Sequence, residues 1–378
     1  MTDPAPVSSR IRRAADTMTT LLRQLDAWDA ARTAPDACDL MLGNPQDMPL
    51  TGLVEAIRLH AVPQHKDWFA YKRSEAEPRA VVARSLRDWR GLPFRPEDVF
   101  LTTGAFGALA VLFQALLDPG DEVVYSLPPW FLYEPMLVAA GAVPIKVRVR
   151  EDDNDLDLDA LAAAIGPATR AVIVNTPSNP TGRVHPPDTL AALASLLTEK
   201  SRRFGRPIWL ISDESYSRLV YSDAQFHSPI GCYPYSVLVY TYGKVLLAPG
   251  QRIGYLALSP SLPGADAVRP AVDAAQIAAG WMFPNAVMQY AVADLDALAA
   301  AIGPATRAVI VNTPSNPTGR IHPPATLAAL ASLLTDASRR HGRPIWLISD
   351  EAYSRLVYSD AEFHSPIGFY PYSVLVYT

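Results

Sequence analysis

Apolar and polar positions alternate along this chain with two different periods. Over residues 9–30 the apolar positions recur at helical spacing, which predicts an amphipathic helix. The segment "CDLMLGNPQDMP" then reads as a polar, proline-punctuated crossing. From about residue 104, apolar helical stretches such as "GALAVLFQALL", "PMLVAAGA", "LDALAAAI" and "TLAALASLLTEKSRR" take turns with short β-rich runs. These runs are "DEVVYSL", "PIKVRV", "RAVIVNT", "PIWLISDE", "SVLVYT" and "RIGYLALS". Runs such as "AVIVN" and "IWLIS" are apolar on both faces, as a parallel sheet covered by helices requires. The pattern predicts an α/β protein with a doubly wound, mostly parallel sheet.

The pattern also repeats. Residues 157–241 and 294–378 align without a gap over 85 positions. Eight pairs differ: Val184/Ile321, Asp188/Ala325, Glu199/Asp336, Lys200/Ala337, Phe204/His341, Ser215/Ala352, Gln225/Glu362 and Cys232/Phe369. Solenoid arrays repeat at roughly 20–50 residues and need three or more units, so a single long repeat is a duplicated block of sheet and helix. An in-frame duplication and a join of two related sequences would both give this text.

Composition narrows the function classes. The chain has 378 residues, 49% of them hydrophobic and 19% charged, with a formal net charge of -5. That suits a soluble globular protein, and no basic run tracks a phosphate backbone, so nucleic acid is not an expected partner. The N-terminal segment is polar, and the longest apolar run is too short to span a bilayer, so no membrane is expected. Cys38 and Cys232 form no disulfide framework or metal pattern, so a reducing cytoplasm is the expected compartment. Only five of the 33 basic residues are lysines, and none follows Lys244, so chemistry that needs an amine has few candidates.

The candidate chemistry sits at the ends of the β-rich runs, where open α/β sheets place their ligands. Asp213 follows "IWLIS", a position that also suits a helix cap. Tyr216 comes three residues later, and Asn179 lies in "SNPTG". Thr241, Lys244 and Arg252 follow in "TYGKVLLAPGQRIGY", which offers a hydroxyl, an amine and a guanidinium at fixed spacing. Upstream, "TTGAFGAL" marks a loop-to-helix junction whose backbone amides at Ala105 and Phe106 favour an anion.

This ordered series resembles the class I/II aminotransferases that depend on pyridoxal 5'-phosphate (PLP, fold type I), over about two thirds of the chain from Gly43 to Tyr290. The resemblance implies that Lys244 is the Schiff-base lysine and that Asp213 pairs with the pyridine nitrogen. It also implies that Tyr216 and Asn179 meet the ring hydroxyl. Thr241, Arg252, Ala105 and Phe106 would hold the phosphate, and Trp130 of "PPWFLY" would stack on the ring, although core packing is its ordinary alternative. Tyr71 would reach the phosphate of a neighbouring subunit and Gly43 would lie beside the substrate carboxylate, so a homodimer with shared sites is implied. Gly243 stands where many relatives have a second serine. The implied reaction moves an amino group between an amino acid and a 2-oxo acid. A lyase, decarboxylase or cyclase with the same cofactor apparatus, or a non-catalytic homologue, stays open.

The division expected is an N-terminal arm over 1–45, a PLP-binding large domain over 46–290, and a repeat over 291–378 in place of a small C-terminal domain. The second copy carries Asn316, Asp350 and Tyr353 as counterparts of Asn179, Asp213 and Tyr216, and Thr378 as the counterpart of Thr241. It has no counterpart of Lys244. The sequence offers no candidate for the arginine that grips the substrate carboxylate in the family, since Arg355 matches Arg218. The first copy is expected to hold the place in the main sheet, because it runs directly into the segment that delivers Lys244. The second is expected to pack peripherally or to pair with another chain.

Overall fold

The computed structural model describes residues 7–31, 43–45, 48–220, 224–280, 283–301, 305–315, 321–355 and 362–377. Three helices come first: α1 (Ser9–Ala31), α2 (Thr51–His60) and α3 (Ala76–Arg90). The sheet-building stretch follows as β1 (Val99–Thr102), α4 (Gly104–Leu116), β2 (Glu122–Leu127), α5 (Tyr133–Ala140), β3 (Val143–Arg148), α6 (Leu158–Ala164), β4 (Thr169–Asn175), α7 (Pro187–Phe204) and β5 (Trp209–Asp213). It continues through β6 (Ser236–Thr241), the short α8 (Tyr242–Val245), β7 (Gly254–Leu258), α9 (Ala265–Ala278) and α10 (Ala286–Ala301). The last elements are β8 (Ala308–Asn312), α11 (Pro324–Arg340), β9 (Trp346–Asp350) and β10 (Ser373–Val376).

Seven strands form the main sheet in the order β1-β7-β6-β5-β4-β2-β3. All neighbours are parallel except β7, which runs antiparallel to both β1 and β6. Alternate residues of each strand enter different cores. Ile173, Trp209, Ile211, Val237 and Val239 pack under α4, α5 and α9. Val172, Val174 and Leu210 face α6 and α7, while Leu238, Tyr240 and Tyr255 face α2, α3 and α10. Helices on both faces thus account for strands that are apolar at every position.

The first copy fills three adjacent places, β4, β5 and β6, in this sheet. The second forms a separate parallel sheet in the order β10-β9-β8. Its small core is Ala331, Leu334 and Ala337 of α11 against Ile345, Leu347 and Tyr370. The segment shared by α6 and α10 takes two forms. In the first copy Asp157 caps the seven-residue α6, accepting a hydrogen bond from the Ala160 amide at 2.9 Å. In the second copy the same residues continue a 16-residue helix. No described helix is long and apolar enough to cross a membrane.

Candidate active site

The carboxyl ends of β4, β5 and β6 bring the predicted residues together. Asp213 closes β5 and is buried. Its carboxylate accepts hydrogen bonds from the Tyr133 hydroxyl at 2.6 Å and the Ser215 hydroxyl at 2.6 Å. The strand ends are tied together by backbone groups as well: Asn175 Nδ2 and the Thr176 amide both donate to the Asp213 carbonyl at 3.0 Å. Asn179, in the loop after β4, donates from Nδ2 to the Tyr216 hydroxyl at 3.3 Å. Lys244 Nζ lies 5.6 Å from the centre of the Tyr216 ring.

Burial and neighbouring charge tune these groups. Burial lowers the Lys244 amine below the ordinary lysine value, Arg252 adds to the fall, and Asp213 opposes it. Burial pushes the Asp213 carboxyl up, against the hydrogen bonds from Ser215 and Tyr133 and the charge of Lys244. Burial and the Asp213 charge raise the Tyr133 hydroxyl well above its usual value, so it stays protonated and donates. Burial and then Asp213 also raise the Tyr216 hydroxyl, with Asn179 opposing.

An anion cradle lies beside this cluster. Helix α4 begins at Gly104, so the amides of Ala105 and Phe106 fall in its first turn and have no partner within the helix. Arg252 approaches the same point, with Nη2 3.4 Å from the Thr103 carbonyl oxygen and Nη1 2.8 Å from that of Pro249. A side chain at Gly254 would meet the Tyr240 carbonyl at 2.3 Å and the Gly104 backbone at 3.0 Å, so glycine there permits the contact between β7 and α4. Thr241 ends β6, and its hydroxyl caps α8 by accepting from the Gly243 amide at 3.2 Å. Gly243 has a steric reason to lack the second serine, because a Cβ there would lie 2.8 Å from Pro249 Cα.

Trp130 packs edge-on against Phe106 and Tyr133, with centroids 5.7 and 5.3 Å apart. The two remaining candidates stand apart from the cluster. Tyr71 is 98% exposed. A side chain built at Gly43 would meet nothing within 4 Å. In the second copy, Asn316 and Thr378 lie outside the described residues, as does Cys38. Asp350 ends β9 and accepts from the Ala352 amide at 3.4 Å.

The structure adds residues that the sequence pattern did not mark. Tyr133 is the foremost, and its only sequence signal is its place three residues after Trp130. Behind Asp213, the buried Glu214 pairs with Arg90 at 2.5 Å, and the Arg90 guanidinium lies over Trp89 and Phe226 at 3.8 and 4.5 Å. Ser212 donates to Glu214 at 3.0 Å and Ser228 donates to the same oxygen.

The donor set fits PLP. The amine, the buried carboxylate, the Asn179–Tyr216 pair and the anion cradle are the groups its aldehyde, ring nitrogen, ring hydroxyl and phosphate call for.

Comparison with known proteins agrees with this geometry. The family model described as "Aminotransferase class I and II" matches residues 35–295 and matches again over 285–378. The chain is 34% identical over 230 residues to an aspartate/prephenate aminotransferase of Thermus thermophilus, covering 61% of this chain and 58% of that protein. It is 32% identical over 257 residues to a valine–pyruvate aminotransferase of Mycobacterium tuberculosis, covering 66% and 62%. The chain thus spans about three fifths of the length of these curated relatives. Among solved structures, an aspartate aminotransferase from Thermus thermophilus with maleate gives a TM-score of 0.65 at 30% identity, covering 77% of this chain and 72% of that one. An amino transferase from Eubacterium rectale gives 0.67 at 28% identity with the same coverage. The chain belongs to the class I and II aminotransferases, a family whose members use pyridoxal 5'-phosphate.

Proposed function

We propose that this protein transfers an amino group between an amino acid and a 2-oxo acid, with Lys244 as the amine that carries the cofactor and then moves the substrate Cα proton. The observation that carries the proposal is the convergence of a depressed lysine amine, Lys244, and a buried, hydrogen-bonded carboxylate, Asp213, around the Asn179–Tyr216 pair. When bound, PLP supplies an electron sink for the charge left at the substrate Cα. The protein's part is to place and tune the groups around it.

In this reading Asp213 accepts from the ring nitrogen, and a cation there would favour the ionised carboxylate that burial alone disfavours. Tyr133 and Ser215 hold that carboxylate in one orientation. Asn179 and Tyr216 bind the ring hydroxyl. Arg252, Thr241 and the amides of Ala105 and Phe106 would hold the phosphate, and Trp130 would cover the ring. Lys244 Nζ would take the proton from the substrate Cα and pass it to the cofactor side, since handing it back to Cα would only regenerate the amino acid. Its depressed pKa leaves more of the free amine near neutral pH than an ordinary lysine has.

The reading extends to a homodimer in which the exposed Tyr71 reaches the partner's phosphate site and Gly43 adjoins the substrate carboxylate. It places the enzyme in the cytoplasm. It also takes 1–45 as an arm, 46–290 as the cofactor-binding domain, and 291–378 as a repeat set where relatives have a small domain.

Absorbance provides the test. Full-length protein mixed with PLP is expected to hold a yellow chromophore through gel filtration, to bleach with borohydride, and to carry the reduced adduct on Lys244 in a peptide map. The Lys244→Ala protein is expected to stay colourless. A wild-type protein that ignores added PLP would sink the proposal.

A further inference from the structure

Helix α10 carries a carboxylate that reaches into the back of the candidate site. Asp296 is buried at 2% exposure. One of its oxygens accepts a hydrogen bond from Arg218 Nη1 at 2.8 Å, and the other accepts the Tyr242 hydroxyl. Arg218 lies two residues after Tyr216, and Tyr242 lies two residues before Lys244. The Arg218 guanidinium is further fixed by Ser85 Oγ at 3.1 Å and by the rings of Trp89 and Tyr240 at 4.8 and 5.3 Å.

One buried carboxylate is therefore tied to both segments that present the site's tyrosine and its lysine. We propose that Asp296 is a positioning residue, which sets the separation of Tyr216 and Lys244 by anchoring Arg218 and Tyr242 together. Each link spans two residues, too short a length for slack to absorb a displaced anchor. Without the carboxylate, the largely covered guanidinium has lost its counter-charge and must draw in water or move, taking the Tyr216 turn with it. The Tyr242 hydroxyl loses its acceptor in the same step, which releases the four-residue turn that holds Lys244. The helix is a firm base for such an anchor, since its Asp294 also pairs with His60 of α2 at 2.8 Å.

The repeat provides an internal control. Asp296 belongs to the second copy, and its counterpart is Asp159, an exposed residue of α6 in the same "LDALAAA" text. One sequence thus places one aspartate in solvent and its twin behind the site.

The inference rests on Lys244 and Tyr216 being site residues, so its test runs on full-length protein without cofactor. Amide hydrogen exchange and the pH profile of Lys244 labelling by trinitrobenzenesulfonate are measured in wild type, Asp296→Asn, Asp296→Glu, Tyr242→Phe and Asp159→Asn. Asp296→Asn is expected to speed exchange about tenfold in 214–219 and 242–247 while β2 and β4 keep wild-type protection, and to move the labelling midpoint. Asp296→Glu restores part of both effects. Tyr242→Phe loosens only 242–247, and Asp159→Asn matches wild type.

Wild-type exchange in both segments of Asp296→Asn, an even acceleration across the whole sheet, or an unmoved Lys244 profile would each overturn the proposal. If Asp296→Asn does not fold, Tyr242→Phe decides, and wild-type behaviour of 242–247 in that variant overturns it. Failure of wild type to retain PLP refutes the functional reading instead, and leaves the exchange result standing.

Discussion

The two copies of the repeat share almost all their side chains and almost none of their surroundings. Contacts made within the copied block recur. Ser201 bonds the Tyr233 hydroxyl at 3.0 Å and accepts from the Ile208 amide at 3.0 Å. Ser338 does the same with Tyr370 and Ile345, both at 2.9 Å. The Ser212–Glu214 bond at 3.0 Å returns as Ser349–Glu351 at 2.8 Å. Contacts that need elements outside the block do not recur. Ile173 is 2% exposed and Ile310 is 69%, because α4 and α5 cover only the first sheet. Asp155 accepts from Thr189 and pairs with His185 in the first copy, but position 292 is a valine facing the α10 core, and Thr326 Oγ1 has no hydrogen-bond partner among the described residues.

Several of the eight differences follow the change of surroundings. Lys200 donates to the Ala162 and Ile165 carbonyls at 2.6 and 3.3 Å, closing the end of α6. In the second copy the corresponding helical residues form the end of α10, and Ala337, in the place of Lys200, is buried in the small core. Ser215 donates to Asp213, whereas Ala352 leaves Asp350 without that hydroxyl. Phe369, in place of the exposed Cys232, packs on the same small core. The comparison teaches that the chemistry of a carboxylate such as Asp213 belongs to the shell around it, since among the described residues the same letters at Asp350 have no counterpart of the Tyr133 and Ser215 hydroxyls.

Paired substitutions can break or sharpen this contrast. The largest effect is expected at Lys244→Ala, which should lower transamination by ~10⁴-fold or more in a coupled assay. Next, Asp213→Asn should lower kcat/KM by about 10²–10³-fold while Asp350→Asn leaves it unchanged, and equal losses would erase the distinction between the copies. In urea unfolding, Ile173→Ala should cost about 2–5 kcal/mol and Ile310→Ala less than about 0.5 kcal/mol, the gap reporting how much covering helices contribute. Tyr133→Phe should slow the reaction by roughly fivefold to tenfold, the worth of one hydrogen bond to a buried carboxylate. The smallest effect is on titration. Arg252→Met removes a positive charge beside Lys244, so the pH midpoint for labelling that amine should rise, whereas Asp213→Asn should lower it.

Much of this organisation was legible in the text of the chain. Strands β4 and β5 announce burial on both faces. Asp213, Lys244 and Arg252 stand out through the family resemblance of the motifs that carry them, and the strand ends that present Asp213 and Lys244 are neighbours in the sheet. The antiparallel direction of β7 is not, since "RIGYLALS" is equally apolar read either way, and β1 is too short to show a period. Tyr133, Arg90 and Asp296 escape for a different reason. Each acts on a residue at least 54 positions away, across a contact created by packing. Gly243 carries a clear departure from the family's text, but its cause, the Pro249 backbone, is a matter of space.

The separate three-stranded sheet also bears on how the chain finds its native arrangement. Two nearly identical strand sets could take the place beside β2, and a few side chains such as Lys200 and Ser215 favour the first. The order of the links favours it as well. The first copy passes from β6 through the Lys244 turn straight into β7, its antiparallel neighbour, so its ends close over a short span, while the second would have to close a far longer loop. Chain entropy thus adds to the first copy's advantage, and a circular permutant opened between Thr241 and Gly254 would remove that part of it.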